Sequence, residues 1–198
     1  MLLHEKLNDK RLILASGSPR RRQLLADAGL HFDTAPKYEC DERWPDAMEA
    51  AEVAPFLSQL KSRAYPAALA DGEILITADT VVIAGGCVLG KPSGRDDALR
   101  MLDSLSGRTH SVVTGVTLRS AARTVTFSAE SRVTFRTLRR EEAEYYVDTF
   151  RPYDKAGAYG IQEWIGYAAV ERIEGSFYNV MGLPVQRLYV ELERFLGE

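Results

Sequence analysis

Leu12-Ile13-Leu14-Ala15-Ser16-Gly17-Ser18-Pro19-Arg20-Arg21-Arg22 is the stretch on which the fold turns. A short apolar run passes into a small-residue loop and then into a helix loaded with arginines. Ser18 suits the N-cap, and Pro19 suits the first helical position, because proline has no N–H to lose there and its φ is already helical. The free N–H groups of that first turn, with Arg20, Arg21 and Arg22 beside them, make a site for a polyanion. A capped surface helix with solvated arginines is the plain alternative, and the motif alone does not separate the two.

Outward from this stretch, residues 11–15 read as a buried strand and 19–29 as a helix stopped by Gly29. Residues 31–36 form a candidate second strand. Lys37 to Glu49 is a polar loop carrying Glu39, Asp41, Glu42 and Asp46. A helix follows, with Pro55 in its first turn, Phe56, Leu57, Leu60 and Ala64 on one stripe, and Pro66 at its end. Ile74 to Ala78 is an apolar run of strand length. Val81-Val82-Ile83 and Cys87-Val88-Leu89 flank Ala84-Gly85-Gly86, a hairpin signal. Residues 94–105 form a helix that offers Ala98, Leu99, Met101, Leu102 and Leu105 for packing. Ser111 to Leu118 and Thr124 to Phe135 read as a long antiparallel pair. Residues 139–149 read as a helix, Tyr167 to Ile173 as a strand and Leu183 to Leu196 as the closing helix. Strands and helices alternate first and a hairpin pair follows, so the expected class is α/β with a mixed sheet and flanking helices. The 198 residues suit a single domain, 1–198, or one core with two lobes.

The net charge of −3 leaves no general basic face for extended nucleic-acid binding, although a local basic pocket for a small anion is compatible with it. Two cysteines, Cys40 and Cys87, are too few for a disulfide framework and fit a reducing compartment. Met1 to Lys10 is charged and does not read as a signal peptide, and no window approaches the roughly 20 apolar residues of a membrane helix. The expectation is a soluble cytoplasmic protein. His4, His31 and His110 show no metal-ligand spacing.

Three further segments carry candidate chemistry. Thr77-Ala78-Asp79-Thr80 reads as the end of an apolar strand, where ligands of open α/β folds collect. A carboxylate there binds a divalent cation or accepts a proton from water. Asp41 and Glu42 are its best partners for a metal such as magnesium, which prefers a few carboxylates plus waters and phosphates. Leu89-Gly90-Lys91-Pro92 offers close backbone approach and a point charge for phosphate. Lys61 is either a second phosphate contact or a snorkelling surface lysine. Tyr153 to Gln162 concentrates tyrosines, glycines and one glutamine; tyrosine stacks on a base, and Gln pairs with its edge.

As a set, Ala15-Ser16-Gly17-Ser18-Pro19-Arg20-Arg21, Ala78-Asp79-Thr80, Gly90-Lys91-Pro92, Leu105-Ser106-Gly107 and Asp154-Lys155-Ala156-Gly157-Ala158-Tyr159-Gly160-Ile161-Gln162 resemble the Maf family of nucleoside triphosphate pyrophosphatases. The resemblance covers nearly the whole chain. It implies an inosine-triphosphate-pyrophosphatase-like fold with two lobes around a central cleft. It also implies metal-assisted cleavage of a nucleoside triphosphate to monophosphate and pyrophosphate, with Mg or Mn as the cation. On the matching positions, Asp79 is the implied proton acceptor and Glu42 a polar cleft residue; Glu42 and Asp79 are the candidate metal ligands. Ser16, Arg20, Arg21, Lys61, Thr80, Lys91 and Gln162 are the implied substrate contacts, with Arg20, Thr80 and Gln162 linked to substrate choice. Ala158-Tyr159-Gly160-Ile161-Gln162 resembles the branch acting on dTTP and UTP; the 7-methyl-GTP branch is the alternative. A homodimer is compatible with the resemblance. A regulatory nucleotide binder linked to septum formation is the competing class, and Asp79 discriminates, because a pure binder has no need of a carboxylate that repels phosphate.

Overall fold

The structure is a computed structural model, and residues 2–197 are described. In chain order the elements are α1 (Leu3–Lys6), β1 (Arg11–Leu14), α2 (Pro19–Asp27), β2 (Asp33–Thr34), α3 (Ala50–Ala64), β3 (Glu73–Ala84), β4 (Cys87–Leu89), α4 (Arg95–Leu105), β5 (Thr109–Arg119), β6 (Thr124–Phe135), α5 (Arg140–Phe150), α6 (Trp164–Ala169), β7 (Val170–Glu174), α7 (Phe177–Met181) and α8 (Val185–Gly197). Among the described residues the strands hydrogen-bond in the order β2-β1-β3-β5-β6-β7, and β4 pairs with β3.

The sheet is mixed, as expected. β1 lies parallel to β2 and to β3, with Ile13 opposite Asp33 and Leu75. β4 is antiparallel to β3, and β7 is antiparallel to β6. Threonine pairs 109/134 and 117/126, each with hydroxyls 2.9 Å apart, share one antiparallel register between β5 and β6. The two-residue turn Gly85-Gly86 joins β3 to β4. Both glycines have positive φ, +57° and +79°, as a tight hairpin requires.

The chain divides into two compact units. The first comprises Met1–Asp79, Thr114–Ala129 and Gly182–Glu198; the second comprises Thr80–Val113 and Glu130–Met181. The sequence and the structure differ in β3, in α3 and in β2. β3 does not end at Ala78 but continues through Asp79 and Thr80 to Ala84. The polar pair interrupts the apolar run, but the β-branched residues Thr80, Val81, Val82 and Ile83 hold the backbone extended. Pro55 lies inside α3, not in its first turn. The buried face of α3 is Val53, Ala54, Leu57, Ser58 and Ser62, displaced from the expected stripe. The reason is close packing. Ser58 Oγ lies 2.9 Å from Thr117 Oγ1 on β5, and a Cβ added at Gly115 would stand 2.3 Å from Pro55 N and 2.4 Å from Ala54 C. Small and hydroxyl side chains let the helix sit that near the strand. The expected strand 31–36 shrinks to Asp33–Thr34.

In the second unit, α4 supplies Ala98, Leu99, Leu102 and Leu105 to a core shared with Val133, Phe135, Tyr146 and Val147. Within it, His110, Phe135 and Tyr159 meet edge to face, with ring centroids 5.0–5.4 Å apart. The expected strand Tyr167–Ile173 begins only at Val170. The preceding residues form α6, because Gly166 lets the chain turn back against the Ile161 carbonyl, which occupies the place a Cβ would need.

Two outcomes are expected. Gly115→Ala should lower the free energy of unfolding by about 3 kcal/mol or more, because the obstacle to the new methyl is helix backbone. Gly94→Ala, whose added Cβ meets nothing within 4 Å, should change it by less than about 1 kcal/mol. Urea denaturation of both variants checks this. Buried His110 has its pKa lowered by desolvation to about 4. The folded protein therefore refuses a proton that the unfolded chain accepts. The associated stability is fully present above pH 6.5 and is lost as pH falls toward 4, about 3 kcal/mol in all. His110→Gln should flatten that part of the stability–pH profile; parallel profiles for variant and wild type would contradict the assignment.

Candidate active site

Successive side chains of a strand face opposite sides, so Thr77 and Asp79 share one face of β3. That face meets α3. Thr77 Oγ1 donates to the Ser58 carbonyl at 2.7 Å, and three residues further along the helix Lys61 Nζ reaches Asp79 Oδ1 at 2.5 Å. Lys61 Nζ also lies 3.0 Å from Glu42 Oε2. The Lys61 and Asp79 side chains are 16% and 14% exposed, whereas Glu42 is 49% exposed. Asp41, the other acid considered beside Glu42, turns instead to Arg43.

The loop that brings Glu42 to this place is fixed by a residue the sequence did not single out. Tyr38 OH donates to the Lys61 carbonyl at 2.9 Å, and its ring meets Tyr65 edge-on at 5.6 Å. Burial pushes the Tyr38 phenol up to about 12, so it remains a donor. An aromatic residue in an otherwise polar run was the available signal. Cys40 is half-buried in the same loop. Burial, then the Glu42 charge, raises its thiol pKa, so it stays protonated and is a poor nucleophile. Residues 37–42 line a depression of about 750 Å³.

The capped helix forms as expected. Ser18 Oγ accepts the Arg21 N–H at 3.4 Å, with Pro19 at the first position. The guanidinium of Arg21, however, is directed at backbone. Its Nε donates to the Gly182 carbonyl at 2.7 Å and its Nη1 to the Ala78 carbonyl at 2.8 Å, with Ser16 Oγ at 3.4 Å. Burial lowers the Arg21 pKa, an effect opposed by the charges of Asp79 and Glu42. Arg21 thus ties the loop between β1 and α2 to the residue before Asp79 and to the turn before α8. Gly182 was not legible as its partner, because a carbonyl acceptor leaves no mark in the sequence. Arg20, beside it at the helix start, is partly exposed.

Ser16, Arg20, Arg21, Glu42, Lys61 and Asp79 are therefore brought into one unit. Thr80, Lys91 and Gln162 belong to the other. Lys91 is exposed just after Gly90, whose carbonyl accepts the Gly157 N–H at 3.0 Å. Gln162 lies in the turn after Gly160, and its Oε1 is shielded without a hydrogen-bond partner among the described residues.

Two carboxylates, Glu42 and Asp79, converge on one cationic nitrogen within 3.0 Å. No group of three His, Cys, Asp or Glu side chains suited to a metal occurs among the described residues. This donor set fits magnesium or manganese, held by one or two carboxylates together with waters and phosphate oxygens, rather than an all-protein cage. No helix among the described residues is long and apolar enough to cross a membrane.

Comparison with known proteins places these features in context. The chain is 49% identical over 191 residues to a dTTP/UTP pyrophosphatase of Parabacteroides distasonis, covering 96% of this chain and 99% of that protein. It is 49% identical over 193 residues to a dTTP/UTP pyrophosphatase of Porphyromonas gingivalis, with 96% and 97% covered. A protein of the same name from Bacteroides thetaiotaomicron is 49% identical over 188 residues, with 95% and 97% covered. Among solved structures, a HAM1 protein from Coxiella burnetii aligns with 93% of this chain and 99% of its own at 14% identity and a TM-score of 0.47. The family model for Maf-like proteins matches residues 11–195, and the chain belongs to that family.

Proposed function

We propose that this protein hydrolyses nucleoside triphosphates, dTTP and UTP foremost, to the monophosphate and pyrophosphate. The observation that carries the reading is Asp79, held at 2.5 Å by Lys61 with Glu42 on the same ammonium. The relatives named above support the choice of substrate and weigh against the 7-methyl-GTP branch.

The reaction adds water across the α–β anhydride bond, and pyrophosphate leaves with the bonding pair. Lys61 occupies Asp79 Oδ1, which leaves Oδ2 to take the proton of the attacking water. Alternatively, Glu42 and Asp79 would hold a divalent cation that neutralises charge on the phosphate oxygens and makes water more acidic, with Asp79 then a ligand and not the base. The Arg20 guanidinium, at the helix start, would supply donors and positive charge to the polyphosphate. Arg21 keeps that loop in place through its backbone contacts. Lys91, Thr80 and Gln162 are proposed as further substrate contacts. Gln162 suits the pyrimidine edge, because an amide both donates to a carbonyl and accepts from N3–H. A regulatory binder without turnover would gain nothing from two carboxylates set against phosphate. Free Cys40 and Cys87 accord with a proposed cytoplasmic location.

Asp79→Asn should lower turnover of dTTP by about 10²-fold or more, the usual scale for loss of a general base, with the fold kept. Chromatography of the products checks the reaction class at the same time; a nucleoside diphosphate with inorganic phosphate, in place of pyrophosphate, would refute it. The two arginines should separate. Arg20→Ala should reduce kcat/KM with a Tm close to wild type. Arg21→Ala should reduce both, because two buried carbonyls lose their donors at about 1–3 kcal/mol each. Calorimetry beside the activity assay distinguishes the two variants.

A further inference from the structure

The proposed hydrolysis leaves one buried charge in the second unit without a task. Lys155 is 8% exposed, and its ammonium meets Asp154 Oδ1 at 2.7 Å and Glu163 Oε1 at 3.0 Å. Glu163 Oε2 accepts the hydroxyl of Tyr146, a side chain with no exposed surface. The oxygen of that hydroxyl accepts the Gly160 N–H at 3.0 Å, and Glu163 N–H donates back to the Gly160 carbonyl at 3.0 Å. The contacts thus return to the turn from which they start. Gly160 at its centre lets these side chains approach closely. A Cβ there would stand 2.9 Å from Lys155 Cε, 3.0 Å from Gln162 Nε2 and 3.0 Å from Glu163 Cδ. Gln162 lies in this turn, between Gly160 and Glu163 in the chain, and its Oε1 is shielded.

Burying an ammonium and a carboxylate is costly even when they are paired, and apolar residues of similar volume often serve stability as well or better. A fully partnered buried network does fix one geometry. The geometry fixed here is that of residues 160–163. We propose that Lys155, Glu163 and Tyr146 are positioning residues that set the Gln162 amide and thereby the enzyme's discrimination between bases. The proposal rests on the reading of Gln162 as a base contact. Burial and the Glu163 carboxylate both push the Tyr146 phenol above its ordinary pKa, so it stays a donor across the working pH range.

The experiment uses the full chain and compares kcat/KM for dTTP with that for CTP in the wild type, Gln162→Leu, Tyr146→Phe and the double variant. Tyr146→Phe keeps the ring and removes only the hydroxyl. It should lower the dTTP/CTP ratio by about three- to tenfold, with kcat for dTTP little changed, as expected for loss of orientation at a hydrogen-bonding site. In the Gln162→Leu background the same change should lower the ratio no further, because the two act through one group. If Gln162→Leu erodes the ratio and Tyr146→Phe does not, the positioning role is overturned while the base contact stands. If Gln162→Leu leaves the ratio intact, the base contact falls and the positioning role falls with it. Should Tyr146→Phe fail to fold, Glu163→Gln, of equal size and still an acceptor for Tyr146, is read by the same criteria.

Discussion

The ammonium of Lys61 is the point on which the first unit's chemistry depends. Asp79 and Glu42 carry like charge and come from a strand and from a loop with no regular structure. Only a cation between them allows both to stand there. The two halves of the interaction are not equal. The Asp79 half is largely shielded, so breaking it would leave a buried charge without its partner. The Glu42 half is half-exposed, and such pairs contribute little, about 0–1 kcal/mol. The loop therefore needs the additional anchor that Tyr38 supplies through the Lys61 carbonyl. Lys61 is held from its backbone and from its side chain, and both holds serve the same carboxylates.

Neighbouring arginines divide two tasks that composition cannot separate. Arg21 satisfies backbone carbonyls in the interior and orders the loop. Arg20, beside it at the same helix start, is partly exposed. A guanidinium suits the first task because its donors lie in a fixed planar fork, so Nε and Nη1 reach two separate carbonyls from one rigid group.

Much of this was legible in the sequence, and for identifiable reasons. Ser18 and Pro19 mark the helix start because their preferences are local. Gly85-Gly86 mark the hairpin for the same reason. Asp79 was legible as a candidate through its motif, but its place in the middle of β3 was not. The polar pair Asp79-Thr80 looks like a boundary, and only pairing with β1 on one side and β4 further along shows that the strand continues. The buried face of α3 was misjudged because hydropathy favours Phe56 and Leu60, whereas the space beside Gly115 admits only Ala54, Ser58 and their like. Tyr38, Gly182, Tyr146 and Glu163 contribute through contacts distant in sequence, which no local pattern records.

Gly115 has no reactive group, yet its lack of a side chain sets how near α3 can lie to β5, and α3 is the element that carries Lys61. A lineage that drifted to alanine here would have to move the helix outward, and with it the nitrogen that now stands 2.5 Å from Asp79. Trimming side chains at Ala54 or Pro55 would not repair this, because the obstacle is helix backbone. The spacing of the charges is thus kept by a residue that contributes no charge.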